Sequence, residues 1–191
     1  MTTAEWVLAA FLAFAPPERH ESAPWADPSR DHAVGRYTKI AAAIELRCGA
    51  DRGCASLLAA IAIGESGLAR DADEGMAPAK PSCWRRGGYR TRCDSGAAAS
   101  VWQAHAFGVD EHGQHITIRR LFQDRSLAAW QTLRVARSSL ARCKHQRPER
   151  RLSGLSGSCI DRDGSWVARY RLWQRLRGWE PPATEKGAAD S

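Results

Sequence analysis

Leu57-Leu58-Ala59-Ala60-Ile61-Ala62-Ile63-Gly64-Glu65-Ser66-Gly67-Leu68 is the stretch from which the rest of the chain is best read. Seven apolar residues run into a small Gly64, and then a carboxylate appears with a hydroxyl beside it. Such a run predicts a buried helix whose last turn reaches the wall of a cleft. A carboxyl at the end of an apolar helix is poorly solvated when charged, so its pKa rises. That lets a Glu hold a proton near neutral pH and act as a general acid. A Glu at a helix C-terminus is more commonly a solvent-facing surface residue. Taken alone, the stretch leaves both readings open.

The chain has 191 residues, enough for one domain with a proper core. Its hydrophobic content of 43% and charged content of 26% are those of an ordinary folded protein. A formal charge of +7 and a pI near 9.4 imply an anionic setting: nucleic acid, an acidic membrane surface or a cell-wall polymer. The charge is uneven. From Arg119 to Arg177 there are fifteen Lys and Arg against four Asp and Glu.

Six cysteines stand at 48, 54, 83, 93, 143 and 159. Grouping neighbours gives Cys48–Cys54, Cys83–Cys93 and Cys143–Cys159, one of fifteen ways of joining six. Bridges of this kind fit an oxidising compartment, and the absence of any CxxC spacing argues against structural zinc. The run Trp6 to Ala15 is too short to span a bilayer but has the length of a signal-peptide core, with Ala13-Phe14-Ala15 resembling a small-x-small cleavage site. Against that, the residues before it carry Glu5 and no Lys or Arg. Export is the expectation, with residues 1–15 as its signal.

Taken in order, residues 16–32 are rich in Pro and charge and read as a linker. Tyr37, Ile40, Ala41 and Ile44 follow helical spacing from Arg36 to Cys48. Gly49 to Gly53 makes a tight connection, so a Cys48–Cys54 bridge would staple that helix to the one presenting Glu65. Residues 69–99 look irregular, and a Cys83–Cys93 bridge would close a small lobe carrying Trp84, Arg85, Arg86 and Tyr89. Loops of this length are uncommon unless functional. That lobe reads equally as a sugar-stacking surface or as plain loop. Ile116-Thr117-Ile118 is a candidate short strand. Ser126 caps an expected helix with Leu127, Trp130, Leu133 and Leu140 on one face, ending at Cys143. Residues 144–158 form a basic loop returning to Cys159. A last helix runs from Ser165 to Arg177 with Trp166, Tyr170 and Trp173 in one stripe. Residues 179–191 read as a flexible tail.

Glu65-Ser66, followed after a gap by Gly96-Ala97-Ala98-Ala99-Ser100-Val101-Trp102-Gln103, resembles the lysozyme-like domain of the soluble lytic transglycosylase family. That family has a helix ending in Glu-Ser, a loop, and a Gly-x-x-x-Gly/Ser-x-Met-Gln segment. Glu65, Ser66 and Gln103 match directly and Ser100 matches the small position. Trp102 replaces Met. The loop Leu152-Ser153-Gly154-Leu155-Ser156-Gly157 sits where the family has a Tyr-Asn-Ala-Gly-like segment and lacks its Tyr and Asn, which puts that substrate contact in doubt. The resemblance covers about residues 36–178 and implies a mainly α, lysozyme-like helical domain over 33–178, with long irregular, disulfide-stapled loops.

It also implies a chemistry. Most glycosidases use two carboxylates, whereas lytic transglycosylases resemble a one-carboxylate variant. On this reading Glu65 protonates the oxygen between N-acetylmuramic acid and N-acetylglucosamine. It then takes the proton of the muramoyl C6 hydroxyl, leaving a 1,6-anhydro ring. Ser66, Ser100, Trp102 and Gln103 are the implied substrate contacts. A hydrolytic lysozyme would want a second acid, and Asp71, Asp73, Glu74 and Asp94 all lie near enough in sequence.

Three rivals complete the reading. His105, His112 and His115 beside Asp110 and Glu111 have a zinc-like spacing but no HExxH, so no metal or other cofactor is expected. The Trp/Arg stripe of the last helix would suit nucleic acid, but aromatics at helical spacing are usually core and the cysteines argue against a cytoplasmic partner. A lysozyme-like module that binds glycan without cutting it also remains open. The expected protein is a monomer, secreted, periplasmic or virion-borne, whose partners are peptidoglycan glycan strands and anionic cell-wall surface, with no nucleic acid.

Overall fold

Helix α3 (Arg52–Ser66) is apolar on nearly every side: each residue from Cys54 to Ile63 is buried. A helix of that kind has to be enclosed by others, and here it is. The computed structural model describes residues 1–21, 26–74, 98–160 and 164–182. Within them the protein is mainly α. Around α3 pack α1 (Thr3–Phe14), α2 (Arg30–Cys48), α6 (Arg125–Arg142) and α7 (Ser165–Arg177), with α7 making the most extensive interface. Short α4 (Arg70–Glu74) and α5 (Ile118–Gln123), two 3-10 segments (Pro17–His20 and Pro148–Ser156) and a small antiparallel hairpin complete the fold. In the hairpin, β1 (Ala98–Ala99) and β2 (Ala104–His105) pair Ala98 with His105 and Ala99 with Ala104.

Local chemistry sets the helix boundaries. Asp51 caps α3 by accepting the Cys54 N–H, and Gly67 ends it in the left-handed region at φ 60°. Ser29 caps α2. The cap of α6 is Asp124, which accepts the Leu127 N–H, and not Ser126. Ser126 instead takes the Arg47 guanidinium on its carbonyl and hydroxyl, tying α2 to α6. The 116–118 segment is no strand: Thr117 caps α5, and Ile118 is its first residue. The basic loop after α6 contains the 3-10 helix Pro148–Ser156.

The bridges Cys48–Cys54 and Cys143–Cys159 are both formed. Cys83, Cys93 and the lobe between them lie outside the described residues.

The apolar run expected to be an export signal is α1, and in this fold it is core. Trp6, Val7, Ala10 and Phe11 are buried against α2 and α3. The Trp6 Nε1–H donates to the Trp179 carbonyl, and Phe14 and Trp179 meet edge to face. Tyr37 closes the end of α1 through a hydrogen bond from its hydroxyl to the Ala15 carbonyl, and burial pushes that phenol up to about 12. The domain limits drawn at 33 and 178 therefore fall inside the fold. Residue 32 lies in α2, and Trp179 packs with α1. No helix among the described residues is long and apolar enough to cross a membrane.

Behind α4 lies a buried ion network. Arg125 holds both oxygens of Asp73 from Nε and Nη2 at 3.0 and 2.8 Å, while Arg36 Nη1 stands 3.7 Å away. Arg36 also grips Asp27 with two hydrogen bonds and donates to the Leu68 carbonyl. These charges fix the turn that follows α3.

Candidate active-site cleft

The end of α3 opens into a cleft of about 1130 Å3. Ligand sites for single small molecules usually span roughly 300–1,000 Å3, so this one has room for an extended chain. Its walls are the C-terminus of α3, α4, the hairpin, one face of α6, the 3-10 segment around Gly154 and the start of α7.

Glu65 lines this cleft with its side chain 18% exposed. Burial raises its pKa above the ordinary 4.5, the direction expected from the apolar helix, while Arg169 and, more weakly, His105 pull it back. Arg169 Nε lies 3.1 Å from Glu65 Oε1. Its N–H is not aligned on an acceptor, so the contact is an ion pair without a directed hydrogen bond. The guanidinium also lies 4.4 Å from the centre of the Trp166 ring.

Gly64 explains how α7 comes so close. A Cβ at that position would stand 2.6 Å from Arg169 Cγ. The small residue before Glu65 is thus a notch that seats the arginine stem.

The expected substrate contacts divide. Gln103 lines the cleft, at φ 49°, with Nε2 donating to the Ser100 carbonyl. Trp102 is 2% exposed and lends only an edge to the lining; its Nε1–H donates to the Leu58 carbonyl. Ser66 lines the cleft too, but its Oγ sits between the carbonyls of Val101 at 2.8 Å and Ala62 at 3.1 Å and accepts the Leu68 N–H. It fastens the hairpin to the end of α3. Ser100 is fully buried at φ 66°, with Oγ accepting the Trp102 N–H, and does not line the cleft. Both serines hold the hairpin turn that places Gln103 and His105 near Glu65.

Among the nearby acids, Asp73 is consumed by Arg36 and Arg125, and Glu74 pairs with Arg70. Asp71 shares the cleft with Glu65. Asp94 lies outside the described residues.

The histidine cluster disperses. His105 faces the cleft, whereas Val109 and His115 bridge a separate turn. Asp110 there accepts the N–H groups of His112 and Gln114 and pairs with Arg120, which holds its carboxyl down at about 2. Glu111 pairs with Arg47. Among the described residues no group of three or more His, Cys, Asp and Glu could hold a metal ion.

Sequence reasoning missed Arg169 as a partner of Glu65. The signal was present: 166, 169, 170 and 173 share one helical face, so Arg169 lies in the inward stripe. It also missed Gln131, a polar residue of α6 with no exposure. Its Nε2 donates to the carbonyls of His105 and Phe107, while its buried Oε1 has no partner.

Compared with known proteins, the chain matches no family model, no curated protein and no solved structure.

Proposed function

We propose that this protein is a lysozyme-like, glycan-cleaving enzyme, a lytic transglycosylase acting between N-acetylmuramic acid and N-acetylglucosamine in peptidoglycan. The observation that carries the reading is Glu65: a carboxyl at the end of an apolar helix, its pKa raised by burial, in a cleft with the volume to take a sugar chain. A protonated Glu65 donates to the glycosidic oxygen as the bond breaks. The resulting carboxylate takes the proton of the muramoyl C6 hydroxyl, whose oxygen closes on the anomeric carbon. Arg169 and His105 stabilise the carboxylate between the two transfers, so the same residue can serve in turn as acid and base. Two disulfides and a strongly basic chain suit work at an exported, anionic cell-wall surface.

Asp71 favours a second reading. It shares the cleft with Glu65, and a second carboxylate is what a hydrolytic muramidase uses.

One experiment separates these readings. Purified peptidoglycan is incubated with the protein and with Glu65→Gln, and the products are read by mass spectrometry. Anhydro-muropeptides that vanish in the variant support the transglycosylase. Reducing-end products that vanish in Asp71→Asn indicate the muramidase. No release, with binding retained, leaves a glycan-binding module.

A further inference from the structure

Two arginines of α6, Arg134 and Arg142, line the same cleft as Glu65 and Asp71. Arg36, Arg47, Arg70, Arg120, Arg125 and Arg169 each lie against a carboxylate. Among the described residues, the half-buried Arg134 and the exposed Arg142, the two arginines that line the cleft, have no acid partner.

Both are nonetheless held in place. The Arg134 guanidinium lies between two rings, 5.2 Å from Phe107 and 5.0 Å from Trp130, and its Nη2 donates to the Phe107 carbonyl at 3.2 Å. Gly108, at φ 73°, leaves room beside it, since a Cβ there would come within 3.3 Å of Nη2. Arg142 Nη2 donates to the Gly154 carbonyl at 2.6 Å. A guanidinium has five N–H donors, so each retains free donors. Phe107 is 51% exposed and extends the rim as an apolar platform.

Eight residues apart on α6, the two arginines are separated by about 12 Å along the helix axis. No single small anion reaches both.

We infer that the α6 wall is a carboxylate-recognition subsite, with Arg134 and Arg142 binding acidic side groups carried on the glycan strand. The inference rests on the glycan-cleaving reading and names the form of the substrate: strands bearing carboxylate-ended peptide side groups, in preference to neutral amino-sugar chains. A phosphodiester polymer fits less well, because its evenly charged backbone would also run past Asp71 in the cleft lining.

Binding to the Glu65→Gln protein, which leaves the strand intact, tests this by calorimetry. The ligands are uncrosslinked peptidoglycan strands, the same strands with their carboxylates chemically amidated, and neutral N-acetylglucosamine oligomers. The acidic strands are expected to bind about tenfold tighter than either neutral ligand, as charge-assisted hydrogen bonds require. That preference should shrink with salt and disappear in Arg134→Gln/Arg142→Gln. Amidation tests the same contact from the ligand side, whatever the double variant does to folding. Equal affinity for amidated and acidic strands overturns the subsite while leaving the glycan reading intact. Absence of binding to any of the three glycans removes both. An oligonucleotide of matched charge that competes as well as the acidic strand overturns the choice of glycan.

Discussion

Arg169 Nε stands 3.1 Å from Glu65 Oε1, and the arginine's Cγ fills the space that a side chain at position 64 would need. The helix ending in Gly-Glu and the helix carrying Trp166 and Arg169 are therefore fitted to each other at the residue proposed for chemistry. Burial and Arg169 act on Glu65 in opposite directions, and burial prevails.

A Glu with a folded pKa above its unfolded value contributes stability that is present below the unfolded value and lost as pH rises through the folded one. Glu65→Gln keeps the neutral form at every pH. Its stability relative to the native protein should thus increase from near pH 4.5, the ordinary Glu value, toward neutrality. Urea unfolding at several pH values measures this; a difference independent of pH would show that Glu65 is not held neutral by burial. Arg169→Met removes the main opposing charge. The high-pH limb of muropeptide release should then move to higher pH, and Arg169→Lys should hold it closer to the native position.

Gly64→Ala places a methyl group against the Arg169 stem. Displacing that stem should cost about 1–3 kcal/mol, the usual range for overpacking. It should also lower activity by more than a surface Gly→Ala change such as Gly35→Ala, since a Cβ at 35 meets nothing within 4 Å. Thermal unfolding and product release on both variants make the comparison.

Asp73→Ala strands Arg125 and weakens the network around Arg36. The fully buried Asp73 carboxylate holds Arg125 through both of its oxygens, whereas Arg36 keeps its two hydrogen bonds to Asp27. A loss of about 1–3 kcal/mol is expected. The exposed pair of Arg30 and Glu18 is the control, and Glu18→Gln should leave the unfolding midpoint unchanged.

Trp6→Ala tests the place of α1. Trp6 is 1% exposed, packs against Trp179 and lies 4.4 Å beneath the Arg52 guanidinium. As a core residue it should cost about 3–5 kcal/mol when truncated. A silent substitution would mean that residues 1–15 stand apart from the folded protein.

Much of the fold was legible because local sequence dictates local structure. The apolar run from Leu57 to Ile63, capped by Asp51 and stopped by Gly67, can be little other than a buried helix. The stripe Trp166, Tyr170, Trp173 marked α7 for the same reason of periodicity. Close pairs of cysteines at 48/54 and 143/159 needed only short loops to meet. Local reading failed where one pattern serves two ends. Ten apolar residues before Pro16-Pro17 describe a signal core and a buried helix equally well, and only the surfaces of α2, α3 and Trp179 select the second. Ser66 and Ser100 matched a family pattern by position, yet the hydroxyls turned to backbone groups that sequence does not place.

For the site, the sequence alone determined that Glu65 would end an apolar helix, because burial of that run follows from its composition. Which charges meet it was a tertiary matter. Arg169 lies 104 positions away, and its approach depends on the angle at which α7 crosses α3. Asp73 and Glu74 were drawn off into other ion pairs by the packing of Arg36, Arg125 and Arg70. Arg134 and Arg142 were left facing the cleft by the turn of α6. A chain position states which groups are present; only the packed helices decide which are already satisfied and which remain to bind something else.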